Sequence, residues 1–443
     1  MSNKGLARRI ADRAAAQGLT GVRCDHTSVL RWLAGEQPRP PVPELAATVM
    51  TEALGRTVSA AGLGMTPSDL PGDVGLQLGD AWSDTVVTST SLWRADVQRR
   101  RFLAGAVFSS AALPASALRW LTSPDAETPE SSGPRRIGQA DIDAIRDLTQ
   151  SYREMDNLLG GGRLRSALVS YLDDHVTGLL TAGSYGEDTG RALAAACGEL
   201  SQLAGWVAYD SDEHALAQRY LTQALAYARH AGDAALAAET LAAQAHQSLY
   251  LARPDVAIDL ARTAQAAAVR NGSATLLTEC LVLEAHGHAG RKDARACAAA
   301  LAQAERAFDR AARADDPAWL SYFDEAYLAA RMAQCFRDLG DGRHAAGYAR
   351  RSLDMDSRYV RGRAFNLSLL ASAHAMLGEA EQACAVGRQA LNLTGRLASA
   401  RSVRYVRGVA RQLRPHAGVP AVRDFRAEVA ERLPGPAGHA APR

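Results

Sequence analysis

The sequence is poor in several features that mark common protein classes. Only 6% of its 443 residues are aromatic, and only two of its basic residues are lysines. Its six cysteines form no Cys-x-x-Cys pair, which argues against a zinc or redox motif and favours free thiols in a reducing compartment. No stretch approaches the ~20 apolar residues that a membrane-spanning helix needs. We therefore expect neither a metal-stabilised fold nor a membrane protein.

Sequence motifs of catalysis are also missing. The chain contains no G-x-S-x-G, no Walker-type P-loop and no H-E-x-x-H, the short signatures of common hydrolases, nucleotide-binding proteins and zinc proteases. His286 and His288, with Cys297 nearby, form the only cluster with metal-ligand residue types, and their spacing fits no standard zinc pattern. The sequence predicts no enzyme, no bound metal and no cofactor.

The composition that is present predicts an all-α protein. Hydrophobic residues make up 47% of the chain and charged residues 22%, which excludes wholesale disorder. Alanine is used heavily, and this favours close-packed helices over β-sandwich cores. Positive charge is in excess in residues 1–40 and 341–443, with negative charge between them. That distribution is compatible with an anionic partner at either end of the chain. The alternative is a surface of interspersed charges that has no binding role.

Residues 1–63 are expected to form a small helical domain. The apolar positions of a first amphipathic helix recur at helical spacing: Leu6, Ala7, Ile10 and Ala14. In a second, short helix, Val29, Trp32 and Leu33 are spaced to face a core. That arrangement leaves Thr27, Ser28 and Arg31 on the open side. A proline-rich run then leads to a third helix.

The string Thr27-Ser28-x-x-x-Trp32-x-x-Gly35-x-x-Pro38 resembles the recognition-helix region of lambda-repressor-like helix-turn-helix domains. A short helix with small hydroxyl side chains and one exposed arginine suits contact with base edges in a major groove. Residues 16–25, however, lack the clear short helix that this family has before the recognition helix. The alternative is a small helical cap that binds no DNA. The candidate DNA-binding residues are Arg8, Arg9, Arg23, Thr27, Ser28, Arg31 and Arg39.

Residues 64–136 are expected to form a connector with one or two helices and flexible, polar linkers. Within it, Arg99-Arg100-Arg101-Phe102-Leu103 imitates a twin-arginine export signal. The motif lies about a hundred residues into the chain, whereas an export signal belongs at the N-terminus. We therefore expect a cytoplasmic protein.

From residue 137 onward the chain is almost entirely of helical pattern and contains internal repeats. Gly340 and Gly378 end two first helices 38 residues apart, and Ala345 and Ala383, each five residues later, open the second helices at the same interval. Earlier copies are aligned by Gly290 with Ala294 and by Pro254 with Ala257. A small residue at a fixed offset after the turn allows two antiparallel helices to approach closely, so that stacked pairs bury one continuous core.

The best preserved copy, Ala364–Ala383, looks like a tetratricopeptide repeat. The resemblance implies a right-handed α-solenoid over residues 137–433, followed by a frayed tail, 434–443. Such a solenoid has a concave groove, lined by the first helix of each pair, that suits an extended peptide. For each groove candidate, ordinary packing between helices is the alternative. The candidates are Trp206, Tyr209, His246, Tyr250, Tyr322, Arg363, Asn366 and His374.

Five arginines are spaced to share one face of a helix near the C-terminus: Arg401, Arg404, Arg407, Arg411 and Arg414. Their mutual repulsion would be relieved by carboxylates, a nucleic-acid backbone or an acidic neighbouring subunit. The alternative is a solvated polar face that caps the last repeat.

The whole arrangement resembles the helix-turn-helix transcriptional regulators with C-terminal tetratricopeptide-like repeats that are common in actinobacteria. The resemblance implies a cytoplasmic regulator that binds double-stranded operator DNA, away from membranes. It also implies a homodimer whose repeat domain senses a peptide, protein or small ligand. The alternative is a repeat scaffold for protein partners, with a vestigial N-terminal domain that does not bind DNA.

Overall fold

The structure is a computed structural model that divides the chain into two compact units, Met1–Asp73 and Val74–Arg443. Nearly all of the described chain is helical, which confirms the all-α prediction. The residues that the structure describes are 2–16, 19, 22, 24–33, 36, 38, 41–54, 58, 60, 63, 65, 74–98, 108–122 and 126–434.

The first unit contains three described helices: α1 (Asn3–Ala16), α2 (His26–Leu33) and α3 (Val42–Leu54). Its core forms where apolar side chains of α1 and α3 meet: Ile10, Ala14, Leu45, Ala46 and Val49. Trp32 of α2 packs against this core. The described positions between α1 and α2, which are Leu19, Val22, Cys24 and Asp25, are not helical.

Helix α2 is rotated relative to its predicted orientation. Leu33, expected to face the core, is 73% exposed, whereas Ser28, expected on the open side, is only 8% exposed. The cause is the N-cap. Asp25 Oδ1 accepts hydrogen bonds from the Ser28 backbone N–H at 2.7 Å and from its hydroxyl at 2.8 Å, and these bonds hold Ser28 inward. The two predicted orientations are therefore wrong.

The described part of the second unit has several helical segments and a small sheet before the repeats. The helical segments are α4 (Trp82–Gln98), α5 (Ala112–Thr122), α6 (Gln139–Leu159), a 3-10 turn (Gly161–Arg163), α7 (Arg165–Tyr171), a π-helical turn (Leu172–Val176) and α8 (Thr177–Ala182). The strands are β1 (Ser131–Ser132), β2 (Arg135–Arg136) and β3 (Gly183–Tyr185). In the order β1-β3-β2, β1 pairs antiparallel with β3 and β2 pairs parallel with it.

Of the described residues of the predicted connector, Met65 belongs to the first unit, and residues 74–98, 108–122 and 126–136 belong to the second. Trp93 of α4 and Trp120 of α5 are buried. The Gln223 side chain donates to the backbone carbonyl of Gly75 at 3.2 Å. Helices α4 and α5 therefore pack as part of a folded core, because large aromatic side chains anchor them there. The motif at Arg99–Leu103 lies outside the described residues.

The repeats are antiparallel helix pairs. Each first helix packs against the second helix that follows it, and each first helix also contacts the first helix of the next pair. This stacking confirms the predicted helical solenoid. The pairs are α9 (Glu187–Asp210) with α10 (His214–Ala231), α11 (Ala234–Tyr250) with α12 (Pro254–Asn271), α13 (Ala274–Gly290) with α14 (Ala294–Phe308), α15 (Glu325–Leu339) with α16 (Gly342–Arg351), α17 (Val360–Met376) with α18 (Ala380–Thr394), and α19 (Ala400–Gln412) with α20 (Pro420–Arg432).

The turns within the later pairs have the geometry that the repeat pattern predicts. Gly340 and Gly378 adopt left-handed backbone angles, with φ of 92° and 78°, a conformation that glycine reaches without strain. Ala345 and Ala383, five residues further on, have no exposed surface. Their small side chains lie where the second helix packs closely against its neighbours.

The third copy is offset from its predicted register. Its left-handed residue is Lys292, at φ 63°, and not Gly290. Asp293 caps α14 by accepting the N–H of Ala296 at 2.9 Å, so that the turn lies two residues later than expected. Cys297, five residues after Lys292, is the buried small residue, whereas Ala294 is exposed.

The two ends of the repeat region meet. The N–H of Ala398, just before α19, donates to the carbonyl of Leu159 at the end of α6 at 2.8 Å, and the N–H of Gly162 donates to the carbonyl of Ala398 at 2.9 Å. Gly160 has a φ of 82°, and a Cβ there would lie 2.9 Å from the Ala398 carbonyl. The first helices of the pairs therefore face a shared interior that is closed where α6 and α9 reach α17 and α19.

All six cysteines are free thiols, and five of them are buried. Among the described helices, none combines the length and apolar character that crossing a membrane requires.

Candidate functional site

A cavity of ≈ 330 Å³ lies in the interior that the first helices share. Its lining comes from α6 and from the first helix of every pair, together with the segments before α15 and before α17. The volume lies at the small end of the range for sites that bind small molecules. Aromatic side chains form much of the wall: Trp206, Trp319, Tyr322, Tyr327, Tyr359, Phe365 and Tyr405.

The structure brings several of the predicted groove residues to this interior. Trp206, His246, Tyr322 and Asn366 line the cavity. His246 and Tyr250 line a second cavity of ≈ 530 Å³ that shares several of the same side chains. Tyr209, Arg363 and His374 line neither of these two cavities.

Those three residues, and Asn366, are engaged within the protein. Tyr209 is buried, and its hydroxyl lies 2.8 Å from His246 Nδ1. Arg363 is exposed and donates to the Leu353 carbonyl at 3.2 Å, while His374 pairs with Glu379. The Asn366 amide donates to the Ser352 carbonyl at 2.8 Å. This amide therefore holds the chain that precedes α17.

A buried network of charges closes one wall. Arg401 Nε lies 2.9 Å from Asp210 Oδ1, and Arg361 Nη1 lies 2.6 Å from Asp156 Oδ1 and 3.5 Å from Asp210 Oδ2. All four side chains are almost fully buried. Burial raises the pKa of Asp156. Burial also opposes the charged form of Asp210, but Arg361 and Arg401 together bring its pKa below the ordinary value. The network joins α6 and α9 to α17 and α19.

Arg401 is the residue of this wall that sequence reasoning misplaced. Its guanidinium lies 4.2 Å from the Tyr209 ring centre and 4.8 Å from that of Trp206, within cation–π distance. Two further arginines of the predicted basic face have acceptors of their own. Arg404 lies 3.6 Å from Asp212, and Arg407 donates to the Leu433 carbonyl at 2.8 Å. Carboxylates of the same chain therefore pair with Arg401 and Arg404, as one of the predicted alternatives has it, and Arg407 is held by a backbone carbonyl, while Arg411 and Arg414 are exposed.

The opposite wall holds two buried carboxyl groups, Glu239 on α11 and Glu279 on α13. The Tyr322 hydroxyl lies 2.9 Å from Glu239 Oε2 and 2.8 Å from Glu279 Oε2. Gln202 donates to Glu239 Oε1 at 3.1 Å, and Tyr327 donates to Glu279 Oε1 at 3.3 Å. Burial raises the pKa of both carboxyl groups, and that of Glu279 to about 8. Sequence analysis missed both residues. The one available signal was a lone carboxylate within an alanine- and leucine-rich helical run.

Arg331 on α15 also lines the cavity and is only 3% exposed. Its Nη1 donates to Gln334 Oε1 at 2.8 Å, and Nη2 lies 3.5 Å from His286 Nδ1. Its Nε is buried and has no hydrogen-bond partner among the described residues. Arg331 therefore has only uncharged partners at close range, and one of its N–H groups remains unused.

In the first unit, the predicted DNA-binding residues divide into three groups. Arg8, Arg9, Thr27 and Arg31 are exposed. Arg31 Nη1 lies 3.6 Å from Glu36 Oε1. This ion pair is exposed, and it therefore contributes little to the stability of the folded unit. Ser28 is buried in the cap of α2. Arg23 and Arg39 lie outside the described residues.

The histidine pair that had the residue types of a metal site has other partners. His286 Nε2 lies 2.9 Å from Asp338, and His288 Nε2 lies 3.5 Å from Glu284. Over the part of the chain that the structure describes, no group of three or more His, Cys, Asp or Glu side chains is placed to hold a metal ion.

Comparison with known proteins identifies one relationship. Residues 1–66 match the family described as the SP15 N-terminal domain, a range that includes α1, α2 and α3. No curated protein matches the chain. The similarity therefore concerns the first unit alone.

Proposed function

We propose that the chain is a cytoplasmic, DNA-binding transcriptional regulator. In this proposal the second unit binds a peptide, protein or small ligand and mediates dimerisation, and the protein is not an enzyme. The observation that carries the proposal is the set of exposed basic residues on the short helices of the first unit. Lys4, Arg8 and Arg9 lie exposed on α1, and Arg31 lies exposed on α2 beside Thr27.

These residues suit the two tasks of sequence-specific binding. Lys4 and Arg8 are one turn apart on α1 and share a face, from which they can neutralise phosphates. Arg31 and Thr27 lie on an eight-residue helix, and side chains of such a helix reach base edges when it enters a major groove. Phosphate contacts set the position of the unit on the duplex, and base contacts provide the specificity.

The dimer follows from the size of the first unit. One unit of three short helices makes few base contacts, so that a single copy binds weakly. Two copies on half-sites one helical turn apart, about 34 Å, gain useful affinity and specificity. The cavity of the second unit supports a sensing role, because a ligand that prefers one arrangement of the dimer shifts the population toward it.

The test is a fluorescence-anisotropy titration of the full chain against its own promoter region and a scrambled duplex, at two salt concentrations. We expect tighter binding to the promoter and a steep loss of affinity with salt. Arg31→Ala should cost about 1–3 kcal/mol and relax the sequence preference, while Arg8→Ala should weaken binding to both duplexes and lower the salt slope by about 1. Arg306→Ala, at an exposed position of α14, is the matched control and should change nothing.

Equal and weak binding to both duplexes, without salt dependence, contradicts DNA binding as the function. The dimer is tested separately by light scattering coupled to size-exclusion chromatography. A mass that stays at the 47.0 kDa of one chain, at concentrations that saturate the promoter, contradicts dimerisation.

A second candidate function is a repeat scaffold for protein partners, with a first unit that does not bind DNA. The observation that favours it is the Asp25 carboxylate at the N-terminal end of α2, where Ser28 is turned inward. A carboxylate at this point repels the phosphates of an approaching duplex. The salt slope discriminates between the two functions, since contact with several phosphates must produce a steep one.

A further inference from the structure

The hydrogen bonds of Tyr322 with Glu239 and Glu279 limit the protonation states that the two carboxyl groups can adopt. A phenol carries one hydroxyl hydrogen, so that Tyr322 can donate to only one of the two carboxyl oxygens that it contacts. The other contact, 2.9 Å or 2.8 Å long, needs a hydrogen from a carboxylic acid or from a bound molecule. Unless a bound molecule supplies that hydrogen, one of the two glutamates must therefore be protonated, and a cationic ligand would favour the ionised form of both.

Two arginines of the cavity wall act on these glutamates electrostatically, and neither forms a salt bridge with them among the described residues. Burial raises the pKa of both glutamates and outweighs the charge of Arg153, which lowers the pKa of Glu239, and that of Arg331, which lowers the pKa of Glu279. A protonated amine placed between Glu239 and Glu279 would supply up to three hydrogens to these acceptors. It would also lie beside the hydroxyl groups of Tyr322 and Tyr327, which contact the same carboxyl groups. This end of the cavity is therefore suited to an ammonium group.

The second, independent observation is the buried guanidinium of Arg331. Its Nε has no hydrogen-bond partner within the described part of the chain, and an unused buried donor on a charged group is costly unless a ligand supplies the acceptor. A carboxylate is the acceptor that an arginine side chain fits best. Arg401, on another wall of the same cavity, likewise keeps its Nη2 without a partner.

The two sites are close enough for one small molecule to reach both. Tyr327, whose hydroxyl contacts Glu279, and Arg331 are four residues apart on α15. They lie on one face of the helix, about 6 Å apart along its axis. The ammonium and carboxylate groups of an amino acid or short peptide can span this interval, and the aromatic walls would cover an apolar side chain.

We propose that the cavity binds a zwitterionic ligand, a free amino acid or a short peptide with apolar side chains. Its ammonium group bonds to Glu239 and Glu279, and its carboxylate bonds to Arg331. This ligand class rests on the proposal that the cavity is the sensing site of the regulator. Binding of the amine displaces the proton that one of the two carboxyl groups otherwise holds.

The test begins with a thermal-shift screen of the full chain. The probes are the free proteinogenic amino acids and the dipeptides built from Leu, Ile, Val, Phe, Trp and Met. The best probe of each set is then titrated calorimetrically, beside its N-acetylated and its C-amidated forms. We expect each capped form to bind about 10- to 100-fold more weakly, because each leaves a buried charged group of the cavity unpaired. Whichever set contains the tighter ligand distinguishes an amino acid from a peptide.

A proton count supplies a readout that nonspecific binding does not move. Titrations at pH 7 in two buffers with different ionisation enthalpies should show release of up to one proton per ligand by the wild-type chain. Glu279→Gln should abolish this release, whereas Glu305→Gln, at an exposed position of α14, should leave it unchanged. Arg331→Met should remove the difference in affinity between the free and the C-amidated ligand.

The ligand class is wrong if no probe raises the melting temperature, or if the N-acetylated form binds as tightly as the parent. Both outcomes are measured on the wild-type chain, so that an unstable variant cannot hide them. DNA titrations with and without the ligand keep the two proposals apart. Promoter binding without any zwitterion binding overturns the ligand class alone. Zwitterion binding without promoter binding overturns the regulator and leaves the ligand site in place.

Discussion

Replacing Asp210 by asparagine tests the buried charge network at its centre. Asp210 accepts hydrogen bonds from the Gly161 N–H at 3.1 Å, from the Ser399 hydroxyl at 2.9 Å and from Arg401 Nε at 2.9 Å. Asparagine keeps the shape of the side chain and removes its charge. The substitution therefore leaves Arg401 buried without a carboxylate and opens no cavity.

The expected loss of unfolding free energy is about 3 kcal/mol, the lower end of the ~3–5 kcal/mol range for breaking a buried ion pair. Two features of the structure place it at that end. Arg361 keeps its partner Asp156 at 2.6 Å, and Arg401 keeps the aromatic rings beneath it, with Tyr209 at 4.2 Å. A second substitution, Arg401→Met in the Asp210→Asn background, should recover part of the loss, because it removes the uncompensated charge.

The assay is reversible urea unfolding, followed by both circular dichroism and tryptophan fluorescence. Agreement of the two signals checks that unfolding is two-state. If the free energy of unfolding depends on urea concentration with the same slope in each variant, the substitution has changed stability and not the compactness of either state. Asp255→Asn is the matched control. Its side chain is 76% exposed and lies 3.2 Å from Arg291, so that its loss should change stability by no more than about 0.5 kcal/mol. A loss below about 1 kcal/mol for Asp210→Asn would refute the network as a major source of stability.

Three further predictions follow from single positions. Burial raises the pKa of Glu279 to about 8, above the value near 4.3 of an unfolded chain, so that the stabilisation from its protonation is complete at low pH and is lost as the pH rises through about 8. The melting temperature of the wild type should therefore fall relative to that of Glu279→Gln between pH 5 and 9. Parallel pH profiles of the two melting temperatures contradict this. Ala383→Leu should cost about 1–3 kcal/mol in urea unfolding through overpacking of a fully buried site, while Ala294→Leu, at an exposed site, should cost almost nothing; equal costs contradict the packing. Gly340→Ala, at φ 92°, should cost about 1–2 kcal/mol, whereas Gly347→Ala within α16, where a Cβ meets open space, should stabilise by about 0.5–1 kcal/mol; stabilisation by both would contradict the left-handed turn.

The parts of the fold that could be predicted are those that local spacing determines. The helix pairs and the buried positions of Ala345 and Ala383 follow from small residues at fixed offsets from a turn. The offset of the third copy could not be predicted, because its left-handed residue is Lys292. A lysine, unlike a glycine, gives no sequence signal of a left-handed turn.

The contacts that build the candidate site were beyond the reach of sequence reasoning. Asp210 and Arg401 are 191 residues apart, and nothing in the repeat spacing indicates that the last pair returns to the first. Trp206 was found because helical phase placed it on a first helix, where it lies on α9. Tyr322 was assigned to a first helix in the same way, but it lies in the non-helical segment before α15, so that its prediction as a lining residue rested on a wrong premise. The charged groups that give the cavity its chemistry, Glu239, Glu279 and Arg331, lie within apolar helices, where a lone charge is hard to distinguish from a solvated face.

The meeting of Ala398 with Leu159 and Gly162 changes how the repeat region should unfold. An open row of repeats holds each pair only through its neighbours, so that the terminal pairs fray first and the array loses stability step by step. Here the last pair also contacts the helices before the first pair, and neither end of the row is free. Unfolding should therefore be a single cooperative event, and removing α19 and α20 should destabilise α6 and α9, at the other end of the row, as much as their own neighbours.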